Sequence, residues 1–377
     1  MRILAVFPGL NPKFDDLAHA MEALAAMGNE VMVLAGRLSR LKSGEAASEF
    51  EHVGRVVYYR PYSSVQEMQT QGPVLNEDIQ ERVASFAPEV VFASSFRSLP
   101  VAKALQSAGI HVPILMRVEH LDPIQAIYGR RRYLGIPALG RLLGRAKWRR
   151  HGKCLQGVVT TNPADLFNSP GNLGVDADRI FFAPHCNQLP QLAASPPPRD
   201  KNLMAYVGSL IRDKNCDRWP GNVRRIFDQT PVERFLIVGD GAYRPVVEQL
   251  RSEFGQRIEH IITMPRTEAL ERLRSAYFAY TAATYGWGFI GDCWATGTPL
   301  LAPNSTYGLV RYVDALVPKD ARQMIADVNR LHRDPALHSA LAAEGLRRYE
   351  HFHTADVVAR HYLAAICAVV DRGAATI

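Results

Sequence analysis

Between Asn187 and Lys201 the chain carries Pro190 and an unbroken Pro196-Pro197-Pro198. Three consecutive prolines cannot continue a helix or a central strand, because each locks its backbone and lacks an N–H donor. The 377 residues therefore divide here into two stretches, each long enough to fill a core of its own. On both sides, short apolar runs alternate with helical patterns. Met1 to Phe7 is an apolar run broken only by Arg2, as expected of a strand covered on both faces. Leu17, Met21, Leu24 and Ala25 follow at helical spacing, Gly28 suits a helix stop, and Val31 to Leu34 is a second strand. This βαβ unit predicts a parallel sheet. Further strands are expected at Val90 to Ala93, Ile114 to Val118 and Val158 to Thr161. Past the prolines, the pattern restarts with Leu203 to Val207, Phe235 to Val238 and Ile258 to Ile262, with a helix at Thr267 to Ala276. Helical patterns at 320–332, 335–349 and 354–371 close the chain.

The predicted class is α/β, with two Rossmann-like domains. The boundaries read as 1–187 for the first, 188–201 for a linker and 202–350 for the second, with 351–377 as a terminal helix. An apolar fraction of 47% and a charged fraction of 21% suit a soluble protein. No apolar run approaches the ~20 residues that span a bilayer. The apolar start is too short for a signal peptide and is stopped by Pro8-Gly9. Five cysteines, odd in number and never spaced C-x-x-C, argue for a reducing compartment and against structural zinc. The expectation is a cytoplasmic protein.

Net charge is +7, and its placement matters more than its size. From Pro123 to Ala164 there is no Asp or Glu, while Arg130, Arg131, Arg132, Arg141, Arg145, Lys147, Arg149, Arg150 and Lys153 all fall there. The whole positive excess sits in this segment, which attracts anions. A helix from about Ile136 to His151 is expected within it. Leu139, Leu142, Leu143 and Ala146 form an apolar stripe, and Arg141, Arg145 and Arg149 a basic one. Such a helix reads first as a contact with an anionic membrane surface at the inner face of the cell membrane. A solvated face packed down by its leucines is the next reading, and nucleic acid the last.

The most informative stretch is TAATYGWGFIGDCWATGTPLLAP, residues 281–303. A strand-like run leads into a loop with Gly286, Gly288 and Gly291; a short apolar helix follows, then Gly297-Thr298-Pro299. Glycines let backbone approach a ligand, and a helix start offers free N–H groups to phosphate. This layout resembles the donor-binding segment of GT-B glycosyltransferases, and among them the retaining family called GT4. The ordered set AYVGSLIRDKN, FLIVGDGAYRPVVEQL and HFHTADVVARHY supports the resemblance over most of the chain. It implies the GT-B fold, two Rossmann-like domains facing across a cleft. The activity it implies is sugar transfer from a nucleotide-diphosphate-sugar to a hydroxyl on a cell-surface glycan or lipid-linked precursor. Retention, no metal and no cofactor are implied too. The terminal helix is expected to cross back to the first domain.

The resemblance also assigns residues. Lys214 falls on the phosphate-binding lysine; the arginine of that pair falls on Ser209, and nearby Arg212 can supply the charge. A solvated Arg212-Asp213-Lys214 loop is the alternative. Asp292 falls on the second carboxylate of the family's glutamate pair, which bonds ribose hydroxyls; a helix-start acid held by the dipole is the alternative. The first carboxylate position holds Thr284 or Tyr285. Tyr285, Gly286, Trp287, Gly288, Phe289 and Ile290 form the loop whose N–H groups face phosphate and sugar, although Trp287 also suits plain packing. His120 sits where the family places a histidine near the scissile bond, with Glu119 and Asp122 as local alternatives and a purely structural role also open. Gly9, Gly208, Gly239 and Gly241 are expected to let backbone meet the donor, and Asp240 to contact nucleotide or cap a helix. His351 and His353 read as ordinary helix-start residues.

Overall fold

The computed structural model describes residues 1–9, 16–37, 48–70, 75–118, 137–163, 176–283, 287–303, 305 and 314–374. The chain separates into two compact units, Met1–Cys186 with Ala355–Ile377, and Asn187–Thr354.

In the first unit the described strands are β1 (Arg2–Phe7), β2 (Glu30–Gly36), β3 (Phe50–Val53), β4 (Val56–Tyr62), β5 (Val90–Ala93), β6 (Ile114–Val118), β7 (Gly157–Thr160) and β8 (Ile180–Phe182). They form one sheet in the order β3-β4-β2-β1-β5-β6-β7-β8, parallel except for the β3–β4 hairpin. Past the exposed Arg2, successive residues of β1 feed opposite cores, so Ile3 to Phe7 are all apolar. Ile3, Ala5 and Phe7 pack with Met21 and Leu24 of helix α1 (Asp16–Ala26). Leu4 and Val6 pack on the other face with Ile79 and Val83 of α3 (Glu77–Phe86) and with Val101 and Leu105 of α4 (Leu99–Ser107). The short α2 (Val65–Thr70) adds Met68 to that face. A further helix, α5 (Pro137–Gly152), lies in the acid-free segment.

The second unit is a five-stranded parallel sheet built from β9 (Asp200–Val207), β10 (Arg234–Val238), β11 (Ile258–Ile261), β12 (Ala276–Tyr280) and β13 (Leu300–Leu301), in the order β11-β10-β9-β12-β13. Its helices are α6 (Trp219–Gln229), α7 (Arg244–Phe254), α8 (Arg266–Ser275), α9 (Trp287–Ala295), α10 (Ala321–Arg333) and α11 (Pro335–Arg348). One core collects β9, β10, β12, α6, α9 and α10 around Trp219, Trp294, Tyr206 and Tyr280. The last helix, α12 (Ala355–Ala374), joins the first unit, where Val358, Tyr362, Ile366 and Val369 share a core with Ile3 and Met21.

The proline-rich stretch does not stand free. Leu189 and Leu192 pack on the second core, and Ala193 N–H donates to Glu271 at 2.6 Å. Among the described residues no helix is long and apolar enough to cross a membrane.

Candidate functional site

The order of the second sheet reverses between β9 and β12: β10 and β11 extend one way from β9, β12 and β13 the other. In open parallel sheets such a reversal leaves a crevice at the carboxyl ends of the two strands flanking it. Two segments meet there, 208–215 after β9 and 281–283 after β12. Asn215 Nδ2 donates to the Ala282 carbonyl at 3.0 Å and ties them together. The ring of Phe289, in the first turn of α9, lies 4.7 Å from that of Tyr206, near the end of β9.

The glycines of this region serve their neighbours first. Gly239 and Gly241 have φ of +147° and +151°, which L side chains rarely adopt. A Cβ on Gly239 would overlap the Gly208 carbonyl oxygen, and one on Gly241 that of Leu210. Leu210 N–H donates to the Asp240 carbonyl, and Tyr243 N–H to the Leu210 carbonyl, each at 2.9 Å. Two loops are thus zipped together, and the Tyr206 hydroxyl fixes the Ser209 carbonyl at 3.0 Å. Asp240 enters this zipper by its carbonyl, while the residue capping α7 is Tyr243. Capping is therefore not the role of the Asp240 carboxylate.

Arg212, Asp213 and Lys214 form one 3₁₀ turn, ended by Asn215 in the left-handed region at φ +49°. Asn tolerates that conformation better than most residues. Arg212 is exposed and Lys214 half-buried, so the turn carries two cations at the end of β9. Cys216, two residues on, is buried, and burial lifts its thiol to about 12; it is no nucleophile at neutral pH.

Across the reversal, α9 begins at Trp287 and the four residues Trp287, Gly288, Phe289 and Ile290 make its first turn. The backbone N–H groups of a first turn have no partner within their own helix. Trp287, Phe289 and Ile290 turn their side chains into the core. Gly288 alone is exposed, and a Cβ added there would meet nothing within 4 Å. Trp287 stacks on His353 with ring centroids 4.0 Å apart. That overturns the reading of His353 as an ordinary helix-start residue: its side chain is fully buried in the turn Tyr349–His353.

Asp292 is the sixth residue of α9, too deep for a helix-start acid, so the dipole reading of it does not hold. Its carboxylate is buried and faces Arg266, whose Nη2 donates to Oδ1 at 2.8 Å and Nη1 to Oδ2 at 3.3 Å. Asn187 Nδ2 donates to the same Oδ1 at 2.9 Å, and Arg266 Nη2 to Asn187 Oδ1 at 3.0 Å. The Asn187 backbone is held in turn, its N–H by the His353 carbonyl at 2.8 Å and its carbonyl by the Tyr349 hydroxyl at 3.2 Å. Burial pushes the Asp292 carboxyl above its ordinary value, against the downward pull of Arg266 and Asn187. Gly291 makes the space: a Cβ there would come within 2.7 Å of both Asn187 Nδ2 and the Trp287 ring. Arg266 and Asn187 carry no signal of this pairing in the linear sequence.

In the first unit the strand order reverses between β1 and β5, where Gly9 follows β1 and Ser94 follows β5. Ser94 N–H donates to the Val6 carbonyl at 3.0 Å, and its hydroxyl pairs with that of Ser98 at 3.1 Å. A buried polar chain unanticipated from the sequence lies at the end of β6. Arg117 Nε donates to the Tyr362 hydroxyl at 3.1 Å, and Nη2 lies 3.3 Å from His185 Nδ1. His185 Nε2 is 3.0 Å from the Thr161 hydroxyl. An arginine inside the apolar run ILMRV was the available sign. His120, with Glu119 and Asp122, lies outside the described residues, as do Thr284, Tyr285 and Gly286. Among the described residues no group of three His, Cys, Asp or Glu side chains is arranged to hold a metal ion.

No family model matches the chain, and no curated protein matches it in sequence. Solved structures do match in shape. Sucrose-phosphate synthase from Thermosynechococcus elongatus superposes with a TM-score of 0.75 at 18% identity, covering 98% of this chain and 99% of that one. The fold is GT-B. Anabaena HepE, solved in complex with UDP-glucose, superposes with a TM-score of 0.64 at 12% identity over 100% of both chains. A putative UDP-N-acetylglucosamine 2-epimerase from Listeria monocytogenes reaches 0.61 at 16% identity, covering 98% of this chain and 97% of that one. One GT-B scaffold therefore carries more than one chemistry, and the reaction must be argued from the site.

Proposed function

We propose that this GT-B chain is a glycosyltransferase that takes a sugar from a nucleotide-diphosphate-sugar. One observation carries the reading: the cationic turn Arg212–Lys214 and the first turn of α9, with Gly288 exposed, flank a single strand-order reversal, tied by the Asn215–Ala282 bond. Cations and oriented N–H groups at one sheet end are what a departing diphosphate needs. In this reading Lys214 and Arg212 neutralise the diphosphate, and the amides at Gly288 and its neighbours donate to its oxygens. The acceptor is a hydroxyl on a cell-surface glycan or lipid-linked precursor. It attacks the anomeric carbon on the face the diphosphate leaves, so configuration is retained. The new C–O bond forms as the bond to the phosphate oxygen breaks, and that oxygen takes the acceptor's proton. No metal is needed for the step, because fixed positive charge does the neutralising.

A binding screen tests the donor claim. A ligand held only by the native state raises stability by about 2.7 kcal/mol at a hundred times its Kd. UDP-glucose is the first to try, as the ligand in the HepE structure, followed by GDP- and dTDP-linked sugars. At least one should raise the melting temperature. Lys214→Ala should weaken that donor roughly 10- to 100-fold, the cost of one charge-assisted bond. Absence of any shift with the whole panel would sink the proposal.

A second reading has an observation of its own. Asp292, the ribose-binding carboxylate by resemblance, is already engaged by Arg266 and Asn187. That favours a relative that holds nucleotide-sugar or another polyanion without turning it over. Donor binding with neither transfer nor hydrolysis would select it. Glycosylation of DNA is a third possibility, and indifference to duplex DNA removes it.

A further inference from the structure

Part of the acid-free segment folds as α5, and two of its leucines, Leu142 and Leu143, face the wrong way for a buried helix. Leu142 is 64% exposed and Leu143 45% exposed, among the most exposed large apolar side chains described. The buried positions of this helix include Gly144 and Gly152. At about 100° per residue, Arg145, Arg149, Leu142, Ala146, Arg150 and Leu143 follow one another within roughly half of the helix circumference. All six are exposed. Leu142, Leu143 and Ala146 therefore do not hold the helix down on its domain. Glycines turn inward, and a face of leucines and arginines turns to solvent.

We infer that α5 docks on the surface of an anionic lipid bilayer. Two exposed leucines in a field of arginines suit an interface better than either bulk phase. The leucines enter the acyl boundary, while the arginines lay their stems along it and keep their guanidinium groups among phosphates. With no acid between Pro123 and Ala164, nothing in the segment offsets that attraction. Lys153, just past the helix end and also exposed, adds to it. Nucleic acid would use the arginines and leave the leucines idle. A second copy of this chain would bring the same cations against themselves. A bilayer uses both kinds of side chain, and it brings a lipid-linked acceptor within reach of the chain.

Flotation of the full chain with vesicles tests this, separately from any donor binding. Vesicles of phosphatidylcholine with one-third phosphatidylglycerol should carry the protein at 0.1 M salt, and pure phosphatidylcholine should not. Each cation near an anionic surface is worth about a fivefold change in partitioning. Arg145→Gln/Arg149→Gln/Arg150→Gln should therefore lower binding on the order of a hundredfold. Leu142→Gln/Leu143→Gln should lower it at least tenfold with every charge kept. Neither set touches the core, so circular dichroism and the melting temperature should stay at wild-type values. Three results overturn the inference: no flotation with anionic vesicles, leucine variants that bind like wild type, or retention on duplex DNA at the same salt while vesicles float alone. A leucine-dependent dimer that ignores vesicles would overturn it as well, by making the patch a self-contact.

Discussion

The two flanks of the reversal in the second sheet are built on opposite plans. On the β9 side, Arg212 and Lys214 ride a surface turn held by its backbone, with Arg212 exposed. On the α9 side, Asp292 is buried, and both its oxygens are engaged by Arg266 and Asn187. A surface cation exchanges water for a phosphate at small cost. A buried carboxylate cannot give up a paired guanidinium without stranding a charge. The exposed Arg212 on the β9 flank can thus answer a ligand, while the α9 flank is occupied in holding the chain where Asn187 enters the unit and His353 approaches its exit.

That contrast can be broken by substitution. Trp287→Ala, on the α9 flank, should cost most, about 4 kcal/mol in chemical denaturation, because it empties the slot against His353 and Trp294. Gly239→Ala should cost about 3 kcal/mol by the same measurement, since its Cβ would overlap the Gly208 carbonyl at a φ that alanine avoids. Arg266→Ala should cost about 2 kcal/mol at pH 7, the low side for a broken buried pair because the guanidinium is partly in water. Its pH dependence is the sharper test. Burial already holds the Asp292 pKa above its unfolded value, and loss of Arg266 raises it further. A carboxyl with a raised native pKa favours the fold below its unfolded pKa and loses that contribution as pH rises through the native one. The Arg266→Ala penalty should therefore shrink near pH 4 and be full at pH 7; a penalty flat with pH would mean Asp292 is not its source. Lys214→Ala and Arg212→Ala should move stability least, within about 0.5 kcal/mol. A larger loss in either would show that the β9 turn is tied into the fold as tightly as the α9 flank.

Where one residue pattern decides one element, the chain was readable in advance. β5 and β6 lie at the residues their apolar runs mark, and the helix in the acid-free segment lies within a residue of its expected ends. The hairpin of β3 and β4 was hidden because Arg60 and Pro61 interrupt the apolar pattern. Arg60 is nonetheless fully buried, paired with Glu51 on the neighbouring strand at 2.9 Å. Trp219-Pro220-Gly221 opens α6, because proline is tolerated in a first helical turn. β8 has only three residues and no periodicity to show. The site divides in the same way. Lys214 is legible from its place just past a strand end. The partners of Asp292 lie 26 and 105 residues away in sequence, and no local pattern links them.

The return of α12 to the first unit has a consequence during synthesis. Ile3 and Met21 leave the ribosome early, yet the cluster that buries them also contains Tyr362, Ile366 and Val369. The intervening second unit, Asn187–Thr354, is one unbroken stretch and emerges whole before those residues do. The half that is translated first is therefore the half that must wait, its sheet covered by α1 but not yet by α12, until the second unit has been made and α12 has followed it.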